Sequence, residues 1–395
     1  MAMNNSLAEV HPELASEWSE KNLPLKPDEV NAKSRKNVWW KCRHDHSWSM
    51  KINERTILKK GCRICEQEYL SLFPALAVSY YSNKKGLKAE LGRMATESGF
   101  VRDTFEKVLR LKEILKFLNE DKSLREHLLL KGGTAINLTV FNLPRLSVDI
   151  DMDYTPNDTR EGMLECRAKI TDIIKEYMES EGYQLSEASR FSHSLDAFHY
   201  NYQNAGGNRD MIKIELNYSL RAHIFEPVYS SILPSAFDDG LKIRMVNPLE
   251  IFAAKGNALI TRAAARDLYD WCNMLSEGLF EEQRDLFRKC FLFYMTISAD
   301  TLNKSFDTSA IDTLDFNKIR RDLFPVLNKK DNFQLDERKK IAKNYISDLM
   351  VLNTKEKEYI DRFEEKKYMP ELLFEDAEIV ERVKNHPMAL WKCKE

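Results

Sequence analysis

The stretch Lys131–Tyr154 carries residue types that bind and transfer phosphate groups. Gly132 and Gly133 follow an apolar run and open a segment with helical spacing. A glycine turn lets backbone approach a phosphate closely, and the helix N-terminus behind it presents free N–H groups to the anion. Asp149 and Asp151 stand two residues apart on a predicted strand, so both carboxylates project from one face. Paired carboxylates repel each other unless cations lie between them, which indicates a Mg²⁺ site.

A third carboxylate lies on a later predicted strand, Met211–Tyr218. Apolar and polar residues alternate along it, which places Glu215 on the polar side together with Lys213. A two-metal site needs a further acidic ligand or a base, and we predict Glu215 for that role. The alternative is a solvated edge strand with an ordinary Lys/Glu pair. Asp153 continues the register of the two aspartates and is predicted to lie behind the metal ligands or at the surface.

A line of cations is predicted on the helix that begins at Pro248. Lys255, Arg262 and Arg266 would lie within roughly 40° of each other on one continuous helix of about 3.6 residues per turn. Such a line can hold a triphosphate and neutralise charge that develops on the transferred phosphoryl group. For Arg262, a structural salt bridge with Asp267 is an equally good explanation.

The order strand, glycine pair, helix, strand and D-x-D resembles the polymerase-beta-type nucleotidyltransferase superfamily. Within it, the segments GGTAINL and RLSVDIDMDY are similar to the AbiEii/AbiGii toxin family, which includes the MenT-like toxins. Arg145 and Ser147 occupy the family's R-x-S-x-D-x-D positions, and the resemblance covers roughly residues 96–280. It implies transfer of an NMP from an NTP with release of pyrophosphate.

The resemblance also implies a set of functional residues. The family's essential Lys corresponds to Lys255 and its later essential Asp to Asp267 or Asp270, of which helical arithmetic favours Asp270. The predicted catalytic residues are Asp149, Asp151, Glu215, Lys255, Asp270 and Asp267, the first three as magnesium ligands. The predicted NTP-binding residues are Lys131, Gly132, Gly133, Thr134, Ser147, Arg262 and Arg266.

A separate cysteine cluster near the N-terminus predicts a structural zinc site. Cys42 and His46 form one close pair of ligands, and Cys62 and Cys65 form another. Two such pairs are what a closed tetrahedral zinc site requires. His44 is an alternative fourth ligand. The competing interpretation is a set of ordinary thiols with incidental histidines nearby.

The segments HPELASEW, KNVWWKCRHDHSWSMKINERT and GCRIC resemble the zinc-ribbon (treble-clef) domain found in bacterial proteins. The resemblance covers roughly residues 5–66 and implies His46 rather than His44 as ligand. From Lys33 to Arg63 the chain carries ten Lys or Arg residues against two acidic ones. Docking of nucleic acid through this basic face is a hypothesis. Most of the tryptophans of the segment (Trp18, Trp39, Trp40 and Trp48) are expected in its small core.

We predict an α+β protein with three parts. A treble-clef zinc module occupies residues 1–66, and residues 67–95 connect it to the second part. This second part, 96–247, is a nucleotidyltransferase core with a mixed sheet. A helical C-terminal domain, 248–395, contributes Lys, Arg and Asp side chains to the active site. Strands mixed with helices, followed by helices alone, are typical of this architecture.

Composition narrows the class of protein without identifying a partner. Hydrophobic residues make up 43% of the chain and charged residues 31%, which excludes a disordered or collagen-like chain. The seven cysteines are an odd number, which disfavours a disulfide framework. No apolar run is long enough for a membrane helix and the N-terminus is polar, so we expect a cytoplasmic protein.

The sequence therefore predicts a Mg²⁺-dependent nucleotidyltransferase that acts as a toxin. By resemblance, the acceptor is an RNA, a tRNA 3′ end in particular. The resemblance also implies phage defence by abortive infection and a cognate antitoxin. One alternative keeps the active site but modifies a protein hydroxyl. Another is a zinc-dependent nucleic-acid-binding protein with an inactive core.

Overall fold

The structure is a computed structural model that describes residues 5–42, 45–57, 62, 84–234, 240–298 and 302–394. The chain divides into two compact units, Met1–Glu90 and Leu91–Glu395. The division falls within a helix, Lys84–Ser98, and the same helix crosses the boundary predicted at residue 95.

The first unit is built around an antiparallel hairpin. Its elements are α1 (Leu7–Val10), α2 (Pro12–Ala15), β1 (Asn37–Lys41), β2 (Ser47–Lys51) and α3 (Ile52–Thr56). Alternate residues of both strands face inward, so Val38, Trp40, Trp48 and Met50 are buried. Trp18 packs edge-on against Trp40 with ring centroids 5.8 Å apart. The prediction that most of these tryptophans form the core is confirmed, with Trp39 as the exposed exception.

The second unit contains one mixed sheet of eight strands. The strands are β3 (Leu128–Lys131), β4 (Asp149–Tyr154), β5 (Gln184–Leu185), β6 (Arg190–Phe191), β7 (Leu195–Gln203), β8 (Arg209–Asn217), β9 (Val228–Ser231) and β10 (Lys242–Met245). Their order is β5-β7-β8-β4-β3-β10-β9, and β6 also pairs with β7. β4 lies parallel to β8 and antiparallel to β3. The two strands predicted to carry carboxylates are therefore direct neighbours.

The helices of the second unit cover the sheet and then form the C-terminal region. They are α5 (Arg102–Glu120), α6 (Lys122–His127), α7 (Gly132–Thr139), α8 (Arg160–Ser180), α9 (Pro248–Arg262), α10 (Ala265–Ser276), α11 (Arg284–Ser298), α12 (Ser309–Asp312), α13 (Phe316–Asp322), α14 (Leu335–Leu349), α15 (Thr354–Glu364), α16 (Ala377–Val383) and α17 (Pro387–Lys394), and α4 (Lys84–Ser98) is the helix within which the two units divide. After β10 no further strand occurs in the part of the chain that the structure describes. The predicted α+β class, mixed sheet and helical C-terminal region are confirmed.

The prediction of one continuous helix through Lys255, Arg262 and Arg266 was wrong. Helix α9 ends at Arg262 because Ala263 adopts a left-handed conformation with φ of 46°. A new helix, α10, begins at Ala265. Arg266 therefore leaves the line of Lys255 and Arg262, and the helical arithmetic that ranked Asp270 above Asp267 does not apply. Among the described residues, none of the helices is both long and apolar enough to cross a membrane.

Candidate functional site

The glycine turn lies directly against the first pair of carboxylates. Helix α7 begins at Gly132, where φ is 73°, a value that favours glycine. A Cβ added at Gly132 would stand 2.5 Å from Oδ2 of Asp151. A Cβ at Gly133 would stand 2.8 Å from both Nη2 of Arg145 and Oγ of Ser147. Only the absence of side chains lets the turn approach both neighbours so closely.

The three predicted carboxylates share one polar face of the sheet. Asp151 is directly opposite Glu215 in the parallel β4–β8 register, and Asp149 is opposite Lys213. The intervening residues of both strands, Ile150 and Ile214 among them, are buried on the other face. The strict alternation of apolar and polar residues therefore positions all three acids on the side that the glycine turn borders.

The electrostatics of this face are those of an acidic cluster. Burial, then the charges of Asp149 and Glu215, raise the pKa of Asp151 to about 6, against the opposing pull of Lys131 and Lys213. A carboxyl group that titrates this high resists ionisation where it stands. Such a group gains most from a bound cation, since a divalent ion favours the ionised form of every acid around it.

Basic side chains border the two outer carboxylates. Nζ of Lys213 lies 2.7 Å from Oε2 of Glu215, and Nη1 of Arg266 lies 3.7 Å from Oδ2 of Asp149. These four side chains remain between 26% and 36% exposed, so solvent and ligands can reach them. Arg266 thus reaches the carboxylate face from the N-terminus of α10, although it is not on the helix predicted to carry it.

Behind this face, a chain of buried polar groups leads away from the glycine turn. The ammonium of Lys131 donates to Asp153, which is 3% exposed. His223 lies on the other oxygen of Asp153 at 3.4 Å. Burial alone would raise the pKa of Asp153, but Lys131 and His223 outweigh it and hold the pKa below its usual value. Asp153 is therefore buried, which excludes the predicted surface location.

A second buried network lies behind the turn on its other side. Arg145 donates two hydrogen bonds to Asp270, at 2.7 and 2.6 Å, and both side chains are at most 2% exposed. Lys255 pairs with Asp270 at 2.8 Å and with Asp267 at 2.9 Å. Burial would raise the pKa of Asp270, but the charges of Arg145 and Lys255 reverse this and lower it. Asn137 ties the network to the turn because its amide donates to the carbonyl of Gly133 at 2.9 Å and to Oδ1 of Asp270 at 3.5 Å.

The structure separates the predicted NTP-binding residues into two groups. Lys131, Gly132, Gly133 and Arg266 border the open carboxylate face. The hydroxyl of Thr134 donates to the backbone carbonyl of Asp149, so it fastens α7 to β4. Ser147 is buried beside Gly133, and Arg262 is 71% exposed at 3.5 Å from Asp267. The salt-bridge explanation for Arg262 fits this position.

Sequence reasoning missed three residues that bear on the site. In the sequence, Lys213 was evident only as a neighbour of Glu215, although their i, i+2 spacing on a strand places both on the same face. His223 and Glu250 gave no signal in the sequence, yet both are buried in the second unit. Glu250 accepts hydrogen bonds from the backbone N–H of Ile224 at 2.6 Å and from Tyr294 at 3.2 Å. Burial raises the pKa of Glu250.

The first unit brings three of the four predicted zinc ligands together. The ligand atoms of Cys42, His46 and Cys62 all lie within 4.8 Å of one another. A tight turn connects the first two, since the N–H of Cys42 donates to the carbonyl of His46 at 3.0 Å. Asp45 takes a left-handed conformation in this turn, with φ of 64°. Cys65 and the alternative ligand His44 lie outside the described residues.

This cluster fits the chemistry of zinc. Two sulfur atoms and one imidazole nitrogen are the donors that structural zinc prefers, and a single tetrahedral ion can be reached by all three at this separation. Among the described residues, it is the one group of three or more His, Cys, Asp or Glu side chains with ligand atoms this close. The chain therefore carries a Cys–His–Cys cluster that indicates a zinc site.

Comparison with known proteins identifies both units. The family model "Nucleotidyl transferase AbiEii toxin, Type IV TA system" matches residues 116–343. The model "Probable Treble clef zinc finger domain" matches residues 14–68. The chain is also similar in fold to MenT4, a nucleotidyltransferase toxin from Mycobacterium tuberculosis H37Rv. That match has a TM-score of 0.53 at 16% identity and covers 77% of this chain and 98% of MenT4. No curated protein matches the chain.

The matches support conclusions of different scope. At 16% identity, the similarity to MenT4 shows a shared fold alone. The AbiEii model spans more than half of the 395 residues and includes both aspartates of the D-x-D motif, Glu215 and the glycine turn. Membership implies a nucleoside triphosphate as substrate and an antitoxin as partner. The chain is a nucleotidyltransferase with an N-terminal treble-clef zinc finger, and it belongs to the AbiEii family of toxins from type IV toxin–antitoxin systems.

Proposed function

We propose that this enzyme transfers a nucleoside monophosphate from an NTP to a hydroxyl of an RNA, the 3′ end of a tRNA in particular. One observation carries the proposal: the glycine turn at Gly132 lies against Asp151, and Asp151 shares one polar, partly exposed face of the sheet with Asp149 and Glu215. A nucleotide bound there has its phosphates between backbone N–H donors and acidic groups. That arrangement suits attack of a hydroxyl on the α-phosphorus with pyrophosphate as leaving group.

Asp149, Asp151 and Glu215 are the residues that would hold Mg²⁺. The fit rests on the donor set, which is all oxygen, and on Asp151, whose pKa is raised by burial and by the charges of Asp149 and Glu215 and would be lowered again by a bound cation. When bound, the metal supplies neutralisation of phosphate charge and stabilisation of the attacking and leaving oxygens. Without a metal, Lys213 pairs with Glu215 and Arg266 pairs with Asp149. Both basic side chains are exposed enough to turn toward a phosphate instead.

The remaining side chains hold the turn in place. The first N–H groups of α7 lack acceptors within the helix and could donate to a phosphate at the turn. Lys131 adds positive charge beside them, and Asp153 orients its ammonium. The buried group of Arg145, Asp270 and Lys255 supports Gly133 from behind. We propose that Lys255 and Asp270 act through this support, as positioning residues, rather than by contact with the triphosphate.

The test is incorporation of label from each of the four NTPs, with purified tRNA and with total protein offered as separate acceptors. We expect transfer to tRNA, dependence on Mg²⁺, and loss of transfer in Asp149→Asn. RNase should release the label and protease should not. Label that resists RNase and follows protein would contradict an RNA acceptor and support modification of a protein hydroxyl.

The biological role is tested by growth. Expression of the wild-type chain should arrest cells through the enzymatic activity, and co-expression of the cognate antitoxin should restore growth. Toxicity that persists undiminished in Asp149→Asn would favour a zinc-dependent nucleic-acid-binding protein with an inactive core. Challenge of cells that carry the toxin–antitoxin pair with phage tests the defence role directly.

For the zinc finger, we propose Cys42, His46, Cys62 and Cys65 as the four ligands of a structural Zn²⁺. The purified chain should contain one zinc per molecule, and Cys62→Ser should lower that content. Because zinc binding and folding of such small modules are coupled, loss of zinc should also expose the buried Trp40. Full zinc content in Cys62→Ser would contradict this ligand set.

A further inference from the structure

The outward face of the hairpin β1–β2 carries the one exposed tryptophan of the zinc-finger unit's described residues. Trp39 is 39% exposed, whereas Trp40, its neighbour in β1, is fully buried. The hairpin alternation requires residue 39 to face outward, but it does not require an indole there. Ser49 is directly opposite Trp39 on β2, so no large side chain stands across the hairpin from the indole.

The backbone around Trp39 is fixed and already paired. Its N–H donates to Oδ1 of Asn22 at 2.7 Å, and its carbonyl accepts from the amide of Asn22 at 2.6 Å. The N–H of Ser19 donates to the same carbonyl at 3.1 Å. A peptide that adds a strand to this edge would need those groups. A ligand that binds this face must therefore be recognised by side chains rather than by the backbone of Trp39.

The side chains around Trp39 on this face are mostly cationic. Nζ of Lys21 lies over the ring of Trp39, 4.6 Å from its centroid. Lys41 follows two residues along the same strand and pairs with Asp45 at 2.9 Å, and Lys51 lies diagonally across on β2. An aromatic ring surrounded by lysines can stack a base and bind the flanking phosphates at the same time.

We propose that this face, formed by Trp39, Lys21, Lys41 and Lys51, is a docking surface for single-stranded RNA. An unpaired base stacks on Trp39 and the lysines contact the adjoining phosphates. Stacking requires a base outside a duplex, which selects single strands. Exposed polar groups beside the ring, Ser49 and Asn37, provide hydrogen bonds for a ribose 2′-hydroxyl. The choice of RNA over DNA rests on the RNA acceptor proposed above. The identification of the stacking face does not depend on that proposal.

The test is binding by the full-length chain to a labelled single-stranded RNA of about 12 nucleotides, the scale of single-strand sites. Omission of NTP and of Mg²⁺ keeps catalysis out of the measurement and leaves the zinc in place. Fluorescence anisotropy gives Kd for RNA, for DNA of the same sequence, and for the RNA duplex. Because nucleotidyl transfer needs an NTP, binding measured without it reports docking alone, so failure of catalysis and failure of docking are separate results.

Trp39→Ala should weaken binding of the single strand roughly tenfold, because one base loses its stacking partner. Trp39→Phe should restore most of the affinity. Leu23→Ala is the matched control: Leu23 is 66% exposed in the same unit but is not on the hairpin, and its loss should change nothing. Lys21→Gln with Lys51→Gln should lower the salt dependence of log Kd by about 1.4, since each phosphate contact on a single strand contributes about 0.7. Zinc content and circular dichroism confirm that each variant is folded.

Several results would overturn the proposal. Equal affinity of wild type and Trp39→Ala would remove the stacking role. Equal affinity for duplex and single strand would reduce the surface to nonspecific attraction for phosphates. Equal affinity for DNA would contradict the assignment to RNA. Loss of antitoxin binding in Trp39→Ala, with RNA affinity unchanged, would make the face a protein interface instead.

Discussion

Two groups of acidic side chains flank the same glycine turn and have opposite properties. Asp149, Asp151 and Glu215 lie on an accessible face, with cations at its border and a raised pKa at the centre. Asp270 is fully buried, held by Arg145 through two hydrogen bonds and by Lys255, and its pKa is lowered. The nearby positive charge does not fully balance the three accessible acids, whereas Arg145 and Lys255 fully balance the charge of Asp270.

This difference separates the acids that we expect to take part in catalysis from the buried acid that we expect to support the fold. A cluster that repels itself costs folding free energy, and proteins retain such clusters where a ligand relieves the repulsion. A buried, fully paired aspartate already has its cations and has no capacity left for a metal. Removal of a charge should therefore abolish activity on the accessible face, whereas in the buried network it should lower stability.

The largest expected effect is on catalysis. Asp149→Asn should lower the rate of nucleotidyl transfer by about a thousandfold or more, because the phosphate charge loses its metal-mediated stabilisation. Asp149 is 31% exposed, so the free energy of unfolding in the absence of Mg²⁺ should change little. Initial rates and thermal unfolding of the same preparation measure both. A variant that unfolds readily and retains its activity per folded molecule would reverse the assignment.

The second effect is on stability. Asp270→Asn leaves Arg145 and Lys255 without their buried counter-charge, and we expect a loss of about 3–5 kcal/mol in the free energy of unfolding. Asp267→Asn is the matched control, since Asp267 shares Lys255 but also contacts the exposed Arg262. Its loss should be clearly smaller. Denaturant unfolding measures both variants, and equal losses would mean that Asp270 has no special structural role.

The sequence allowed prediction of the accessible face in some detail. The alternation of Ile, Glu and Leu around Glu215 set its face without any knowledge of the partner strand, because a strand has a period of two residues. The pairing of β4 with β8, which brings Glu215 opposite Asp151, follows from tertiary packing and has no local signal. In the sequence, only the assumption of a common active site connected Glu215 with Asp151.

The buried network could not be predicted in the same way. Helical spacing placed Arg266 beside Lys255, but the left-handed Ala263 ends the helix, and alanine carries no sequence signal for such a break. The pairing of Arg145 with Asp270 spans 125 residues of chain. Motif matching found Arg145 but gave it no partner, because the energetic reason for its presence is burial, which depends on the complete fold.

The third effect is a gain in stability with a defined pH dependence. The folded-state pKa of Asp151 is about 6, above its value of 3.8 in the unfolded chain, so its ionisation opposes folding as pH rises through that window. The free energy of unfolding of Asp151→Asn should therefore exceed that of wild type by about 1–3 kcal/mol at pH 8 in the absence of Mg²⁺. Below pH 3.8 the two should agree, since both side chains are then neutral. Thermal unfolding across this pH range is the measurement.

Magnesium should reverse that result. The ion stabilises wild type at pH 8 because it binds the folded form, and Asp151→Asn should gain less from it. A variant that is less stable than wild type at pH 8 in the absence of Mg²⁺ would contradict the view that the acids of this face repel one another. It would instead indicate that Asp151 is as fully compensated as Asp270.

The smallest effect concerns how closely the turn must approach the accessible acids. Gly132 and Gly182 both have positive φ, at 73° and 80°, so alanine at either should cost about 1 kcal/mol of backbone strain. A Cβ at Gly182 meets nothing within 4 Å, whereas at Gly132 it meets the carboxylate of Asp151. Because that side chain can rotate away, stability should fall equally in the two variants. Its displacement should nevertheless slow nucleotidyl transfer about tenfold in Gly132→Ala alone, since small misplacements of catalytic groups are costly. Equal activity in the two variants would show that the acids of the accessible face tolerate displacement, and that the closeness of the turn serves packing instead.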